Sequence, residues 1–110
     1  MPTRFKAIIV VPCYNEERRM DVTAFQKFSK RHPEIKFLFI DDGSTDGTLR
    51  VLAELLSRSP ATFDLHKLSH NQGKAQAVRY GLLKACESNA PYVGFWDADL
   101  STPLEAIPHF

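Results

Sequence analysis

What this 110-residue chain has little of narrows its function before any motif is read. It carries only two cysteines, Cys13 and Cys86, in neither a CxxC pair nor a ligand cluster, which excludes a disulfide scaffold and a structural zinc site. They read as reduced, packed thiols of a cytosolic protein. Charge of one sign is also lacking. With 14 Lys+Arg against 13 Asp+Glu, there is no global field to attract nucleic acid or an anionic membrane, so any anion site must be local. No stretch approaches the roughly 20 apolar residues of a membrane-spanning helix. The run Ala7–Val11 behind Arg4 and Lys6 is cut short by Pro12 and Asn15 without a small-residue cleavage site, so it does not read as a signal peptide. GxGxxG is absent, which argues against a nicotinamide or flavin dehydrogenase. Gly73-Lys74 is no Walker A loop, because Leu68 and Ala75 stand where that loop needs Gly and Ser or Thr.

What remains, 44% hydrophobic and 25% charged, is the composition of one ordinary folded domain with a core of its own. Four short apolar runs, Ala7–Val11, Ile35–Ile40, Phe63–Leu68 and Tyr92–Trp96, lack polar alternation and predict strands covered on both faces. Between them lie amphipathic helical stretches at about 18–31, 47–57 and 74–88, with Met20, Phe25 and Phe28, then Leu49, Leu52, Leu55 and Leu56, then Ala77, Val78, Gly81, Leu82 and Ala85 on their apolar faces. This alternation predicts an α/β fold with parallel strands and right-handed crossovers. Thr102-Pro103-Leu104-Glu105 has a capping-box pattern with Pro at the first helical position, which predicts another helix. Its apolar face has barely begun at Phe110, so the chain reads as the N-terminal part of a longer protein.

Ligands of open parallel sheets bind beyond the carboxyl ends of the strands. Seven of the thirteen acidic residues, Glu16, Glu17, Asp41, Asp42, Asp46, Asp97 and Asp99, follow the four strands, and such a cluster needs a counter-charge. Asp97 and Asp99, one residue apart at a strand end, offer hard anionic oxygens suited to Mg²⁺ or Mn²⁺, against the alternative of a solvated turn. Asp42, Ser44, Asp46 and Gly47 imitate a calcium loop, but Ala53 replaces its bidentate Glu and a strand precedes it. As a strand-to-helix turn, this stretch leaves Thr45 or Asp46 to cap the next helix. Asp41 and Asp42 side by side exceed that need, and a carboxylate here suits the ring N–H of uracil or guanine. Gly73-Lys74 opens a helix whose N–H groups, with the lysine, suit an anion, while Tyr14 offers a ring for base stacking. His66 and His70 read as ordinary surface or core-edge histidines.

Taken in order, Val10-Val11-Pro12-Cys13-Tyr14-Asn15-Glu16-Glu17, Asp41-Asp42-Gly43-Ser44-Thr45-Asp46-Gly47-Thr48, the stretch from Asn71 to Gly81 and Asp97-Ala98-Asp99-Leu100-Ser101 resemble the family 2 glycosyltransferases. The third and fourth motifs are most similar to the polyprenyl-phosphate or dolichyl-phosphate β-glucosyltransferase branch; Ser101 stands where mannosyl relatives often carry Gln. The resemblance implies a GT-A fold, with residues 1–110 its Rossmann-like, nucleotide-sugar-binding half and the acceptor half absent. It implies that Pro12, Tyr14 and Glu16 line the nucleoside pocket, that Asp41 and Asp42 contact base and ribose, and that Lys74 borders the nucleotide. Asp99 would bind Mg²⁺ or Mn²⁺, and Asp97 would reach the ribose or the metal. The implied reaction is inverting transfer of a hexose, glucose first, from a nucleotide sugar (UDP-hexose before GDP-hexose) to a polyprenyl or dolichyl phosphate. No catalytic base can be assigned, because the family places it beyond Phe110.

Other readings are a family 2 transferase building cell-surface polysaccharide on a sugar hydroxyl and a non-catalytic nucleotide-binding module. A pyrophosphorylase lacks its Gly-rich loop here, and a receiver domain would place its acidic pair after the first strand. The expected partners are the nucleotide sugar and a polyprenyl-phosphate or glycan acceptor, without nucleic acid. The truncated sheet predicts self-association, and the expected location is cytoplasmic, at the membrane face through segments outside these residues.

Overall fold

In a computed structural model of the chain, residues 5–109 are described; Arg4 and Phe110 lie outside them. Strands β1 (Ala7–Cys13), β2 (Ile35–Asp41), β3 (Phe63–Lys67) and β4 (Tyr92–Phe95) alternate with helices α1 (Val22–Arg31), α2 (Thr48–Arg58) and α3 (Lys74–Cys86). All strand pairs are parallel and the spatial order is β3-β2-β1-β4. The first two crossovers add strands on one side of β1, and the third returns across it to place β4 on the other. The carboxyl end of the β1–β4 boundary is therefore the switch point where such sheets bind ligands.

Because successive strand residues face opposite sides, the apolar runs divide into two cores. Ile9, Val11, Phe37 and Phe39 meet Phe25 and Phe28 of α1 and Leu52 and Leu55 of α2, whereas Ile8, Val10, Leu38 and Ile40 meet Ala77 and Ala85 of α3. The first core is aromatic: the Phe25 ring stands edge-on to Phe37 and to Phe39, each at 5.3 Å between centroids. The second is thin, because small residues on α3 let it lie close to β1. A Cβ on Gly81 would come within 2.3 Å of Val10 Cγ1.

Helix α1 starts later than its periodicity predicts. The N–H groups of Arg19 and Met20 bond the Glu16 carbonyl in a separate turn, and Asp21 caps the helix by accepting from Ala24 N at 3.0 Å. The helix predicted at Thr102-Pro103 is only a 3₁₀ turn, Leu104–His109, with Pro108 inside it; it buries Leu104 and Ile107 against the first core. Strand β4 also departs from expectation. It is not covered on both faces: Tyr92 is 65% exposed, Phe95 49% and Val93 37%. Beside it Lys6, Ile9, Trp96 and Ile107 help line a groove of about 390 Å³. Cys13 is buried, but Cys86 is exposed at the end of α3, contrary to the reading of both thiols as packed.

Candidate active site

The strand ends bring the seven acidic residues of the motifs to one edge, where hydrogen bonds join the four loops in chain order. Loops 1 and 2 are zipped together. Asn15 N donates to Ser44 Oγ at 3.0 Å and its side-chain oxygen accepts from Thr45 N at 2.9 Å. Glu16 N donates to Thr48 Oγ1 at 2.8 Å, and Glu17 Oε1 accepts from Gly47 N at 2.9 Å while Oε2 pairs with Arg50 at 3.2 Å. Asp46 accepts from the N–H and hydroxyl of Thr48; the hydroxyl bond first, opposed by partial desolvation, holds its pKa below the ordinary carboxylate value. The expectation that Asp46 serves the start of α2 is met, although Gly47 takes the cap position itself. Asn15 and Glu17 as loop zips were not read from the sequence; the only signal was their place directly after β1.

Pro12 is buried in β1, beyond Val10↔Phe95, the last pair with β4. A proline, with no N–H to give a ladder, thus stands where the β1–β4 pairing has ended. Tyr14, 43% exposed, follows directly after β1. Asp41 lies fully buried at the end of β2. Its Oδ2 takes a long bond from Ser44 N at 3.4 Å, and its Oδ1 has no hydrogen-bond partner among the described residues. A buried carboxylate oxygen left without a donor is costly unless a ligand supplies one.

Asp42 is equally buried but fully engaged. Oδ1 accepts from Gln72 N at 2.8 Å, and Oδ2 accepts from Gly73 N at 3.0 Å and Asn71 Nδ2 at 3.1 Å. These bonds hold the loop before α3. The Gln72 and Gly73 N–H groups, just ahead of α3, thus serve an internal anion. The turn requires Gly43, whose φ is +70° and whose missing Cβ would lie 2.5 Å from Asn71 N.

Lys74 Nζ bonds Asp97 Oδ1, joining α3 to the end of β4. Ser101 orients both acids of the final motif: its N–H reaches Asp99 Oδ1 at 3.0 Å and its hydroxyl approaches Asp97 Oδ2 at 3.5 Å. The turn between them holds Leu100 at φ 55°, strain of the kind that accompanies functional loops. Glu16 Oε1 lies 3.2 Å from Arg19 Nε but is buried without a hydrogen bond, so the pair has charge proximity without good geometry. Burial chiefly raises the Glu16 pKa; Arg19 opposes this, and Asp99, Asp46 and Asp97 add to it. Glu16 is thus within electrostatic reach of each of those three carboxylates. Burial, then Glu16 and Asp41, raise the Cys13 thiol well above its ordinary value, so it is protonated and no nucleophile.

The donor set suits a hard divalent cation. No three ligating side chains converge among the described residues, but Mg²⁺ characteristically takes one or two carboxylates and completes its shell with phosphate oxygens and water. The charge repulsion felt at Glu16 gives a test. In the cation-free protein its raised pKa means that the unfolded chain ionises first as pH rises, so stability falls from the ordinary Glu range upward until folded Glu16 also ionises. Glu16→Gln should raise the cation-free Tm at pH 7 by about 2 °C and flatten that slope, as calorimetric melts across pH would show.

An open parallel sheet with paired acids at its switch point defines an α/β domain of the GT-A class. The chain belongs to glycosyl transferase family 2, whose description matches residues 8–110. It is 34% identical over 107 residues to a bactoprenol glucosyl transferase of Shigella phage SfV, covering 94% of this chain and 34% of that protein. It is 35% identical over 107 residues to a dolichyl-phosphate beta-glucosyltransferase of Dictyostelium discoideum, covering 88% and 32%. A mannosyltransferase from Pyrobaculum calidifontis, in complex with GDP-Man and Mn²⁺, superposes with a TM-score of 0.70 at 23% identity, over 88% of this chain and 28% of that one. The chain spans about a third of the length of the curated relatives it matches.

Proposed function

We propose that these residues form the donor-binding part of an inverting glycosyltransferase that moves glucose from UDP-glucose to a polyprenyl or dolichyl phosphate. The observation that carries the reading is the pairing of Lys74 with Asp97, beside Asp99, beyond the carboxyl ends of β1 and β4. In this reading, Asp41 Oδ1 accepts the ring N–H of the base, Tyr14 stacks on the base, and Pro12 and Glu16 form the wall. Lys74 borders the diphosphate, and Asp97 and Asp99 hold Mg²⁺ or Mn²⁺. When bound, that cation supplies charge that stabilises the departing nucleoside diphosphate. An oxygen of the lipid phosphate forms the new bond to the anomeric carbon from the opposite face as the bond to the diphosphate breaks, inverting the centre. The lipid phosphate is already ionised at neutral pH and needs no general base. The glucosyl relatives of phage and amoeba support glucose and lipid phosphate over the alternatives.

The reading is tested by incubating the protein with UDP-glucose, Mn²⁺ and a polyprenyl phosphate beside a binding titration: donor binding is expected, and absence of cation-dependent UDP binding would reject it. No helix among the described residues is long and apolar enough to cross a membrane, and a place at the cytoplasmic membrane face is part of this proposal. So is self-association through the exposed β4 face, which sedimentation would reveal.

Asp41→Ala should weaken uridine binding about tenfold even without cation, the loss of one hydrogen bond to a charged acceptor. Because it removes a buried oxygen without a donor, it should leave Tm unchanged or higher. Calorimetry with uridine beside a melt checks both; unchanged affinity would take Asp41 out of the pocket.

A further inference from the structure

We propose that Asn15 is a positioning residue for base recognition: it fixes Ser44, and Ser44 fixes the Asp41 carboxylate with Oδ1 left open to the ring N–H of the base. This rests on the donor-site reading above. Asn15 stands at φ 51°, in the left-handed region that asparagine tolerates better than most residues. With the backbone so turned, one residue grips two successive residues of loop 2. Its N–H donates to Ser44 Oγ at 3.0 Å, and its side-chain oxygen accepts from Thr45 N at 2.9 Å and lies 3.5 Å from Thr45 Oγ1. Ser44 N in turn donates to Asp41 Oδ2 at 3.4 Å.

Among the described residues, that long bond alone distinguishes the two oxygens of Asp41, since Oδ1 is buried without a partner. A carboxylate turns about its last torsion at little cost. Which oxygen is left open, and where it points, therefore depends on where the Ser44 N–H stands. That N–H belongs to a segment held from two sides. Gly43 packs its bare Cα against the backbone of His70 and Asn71 on one side, and Asn15 clasps Ser44 and Thr45 on the other. Loss of the Asn15 side chain frees the second side and leaves the first in place.

The test is a double-variant cycle on the full chain, read by uridine calorimetry and amide hydrogen exchange. Asn15→Gly keeps the left-handed turn and removes the clasp on Thr45. Its uridine affinity should fall about fivefold, and its Ser44 and Thr45 amides should exchange about tenfold faster. Asn15→Asp, which retains an oxygen for Thr45 N, should keep both within about twofold of wild type. In the Asp41→Ala background Asn15→Gly should cost nothing further, because two residues acting through one contact are not additive. Unchanged affinity in Asn15→Gly would overturn the proposal. So would losses that multiply in the double variant, which would mean that Asn15 acts through Tyr14 or Glu16. Should Asn15→Gly not fold, Ser44→Ala, which deletes the oxygen bound by the Asn15 N–H, takes its place in the cycle with the same two outcomes. A wild type that binds uridine no better than Asp41→Ala would reject Asp41 as the base contact, and the exchange then decides alone. A Ser44 amide as fast in Asn15→Gly as in Asp41→Ala upholds the positioning role, and one unmoved in Asn15→Gly overturns it.

Discussion

Asp99→Asn is expected to lower cation-dependent binding of UDP by about a hundredfold, while Tm stays within about 2 °C of wild type. The expectation follows from place and partners. Asp99 is exposed at the end of β4, outside both cores, and its one recorded bond is from the Ser101 N–H, which an Asn oxygen can also accept. The substitution removes a charge and little else. Relief of its repulsion with Glu16 should even favour the cation-free fold slightly. Calorimetry of UDP with and without Mn²⁺ separates the effects: binding without cation should match wild type and the gain on adding Mn²⁺ should vanish. A preserved gain would remove Asp99 from the metal site.

Gly81→Leu should be the most damaging single substitution for the fold. Alanine at this position would gain helix propensity of about 1 kcal/mol, yet its Cβ would already lie 2.3 Å from Val10 Cγ1 and 3.0 Å from Ile40 Cγ1. Both belong to the two central strands, so neither can retreat without moving Pro12 and Asp41 beyond them. Overpacking by one methyl costs about 1–3 kcal/mol, and a leucine must push α3 off the sheet, a cost comparable with the 5–15 kcal/mol that holds a domain of this size together. Denaturant melts should show Gly81→Ala weakened and Gly81→Leu unfolded or molten. A folded Gly81→Leu would mean that α3 is less closely seated than described.

These two positions also show what the sequence discloses and what it withholds. Residue 81 falls on the small-residue face of α3, legible from Ala77, Gly81 and Ala85 at helical spacing, and the four apolar runs predict all four strands. The motif order places Asp97 and Asp99 together because both follow one strand. Asp41 and Asp42 are different: two adjacent acids look alike in sequence, and only the arrival of Asn71–Gly73, some thirty residues later, decides that one is engaged and the other left without a partner. The exposure of β4 was illegible for a related reason. Tyr-Val-Gly-Phe-Trp has the composition of a covered strand, but coverage depends on what the rest of the fold lays against it. For α1, local chemistry was the better guide, since Asp21 as an N-cap overrules a periodicity that runs back to Arg18.

The pairing of Ala7 with Tyr92 has a kinetic side. Strand β4 enters the sheet only by closing a span of roughly 85 residues, the most distant pairing in the topology, whereas β1 and β2 meet across about 28. During synthesis at about 5–20 residues per second, β1, β2 and β3 with their helices are available for several seconds before Asp97 emerges. The loops that follow β1 and β2 can therefore take shape first, and Asp97 and Asp99 join them last. A chain stalled or cleaved before residue 92 would keep Asp41 and Tyr14 but lack Asp97 and Asp99, and with Asp97 the counter-charge for Lys74.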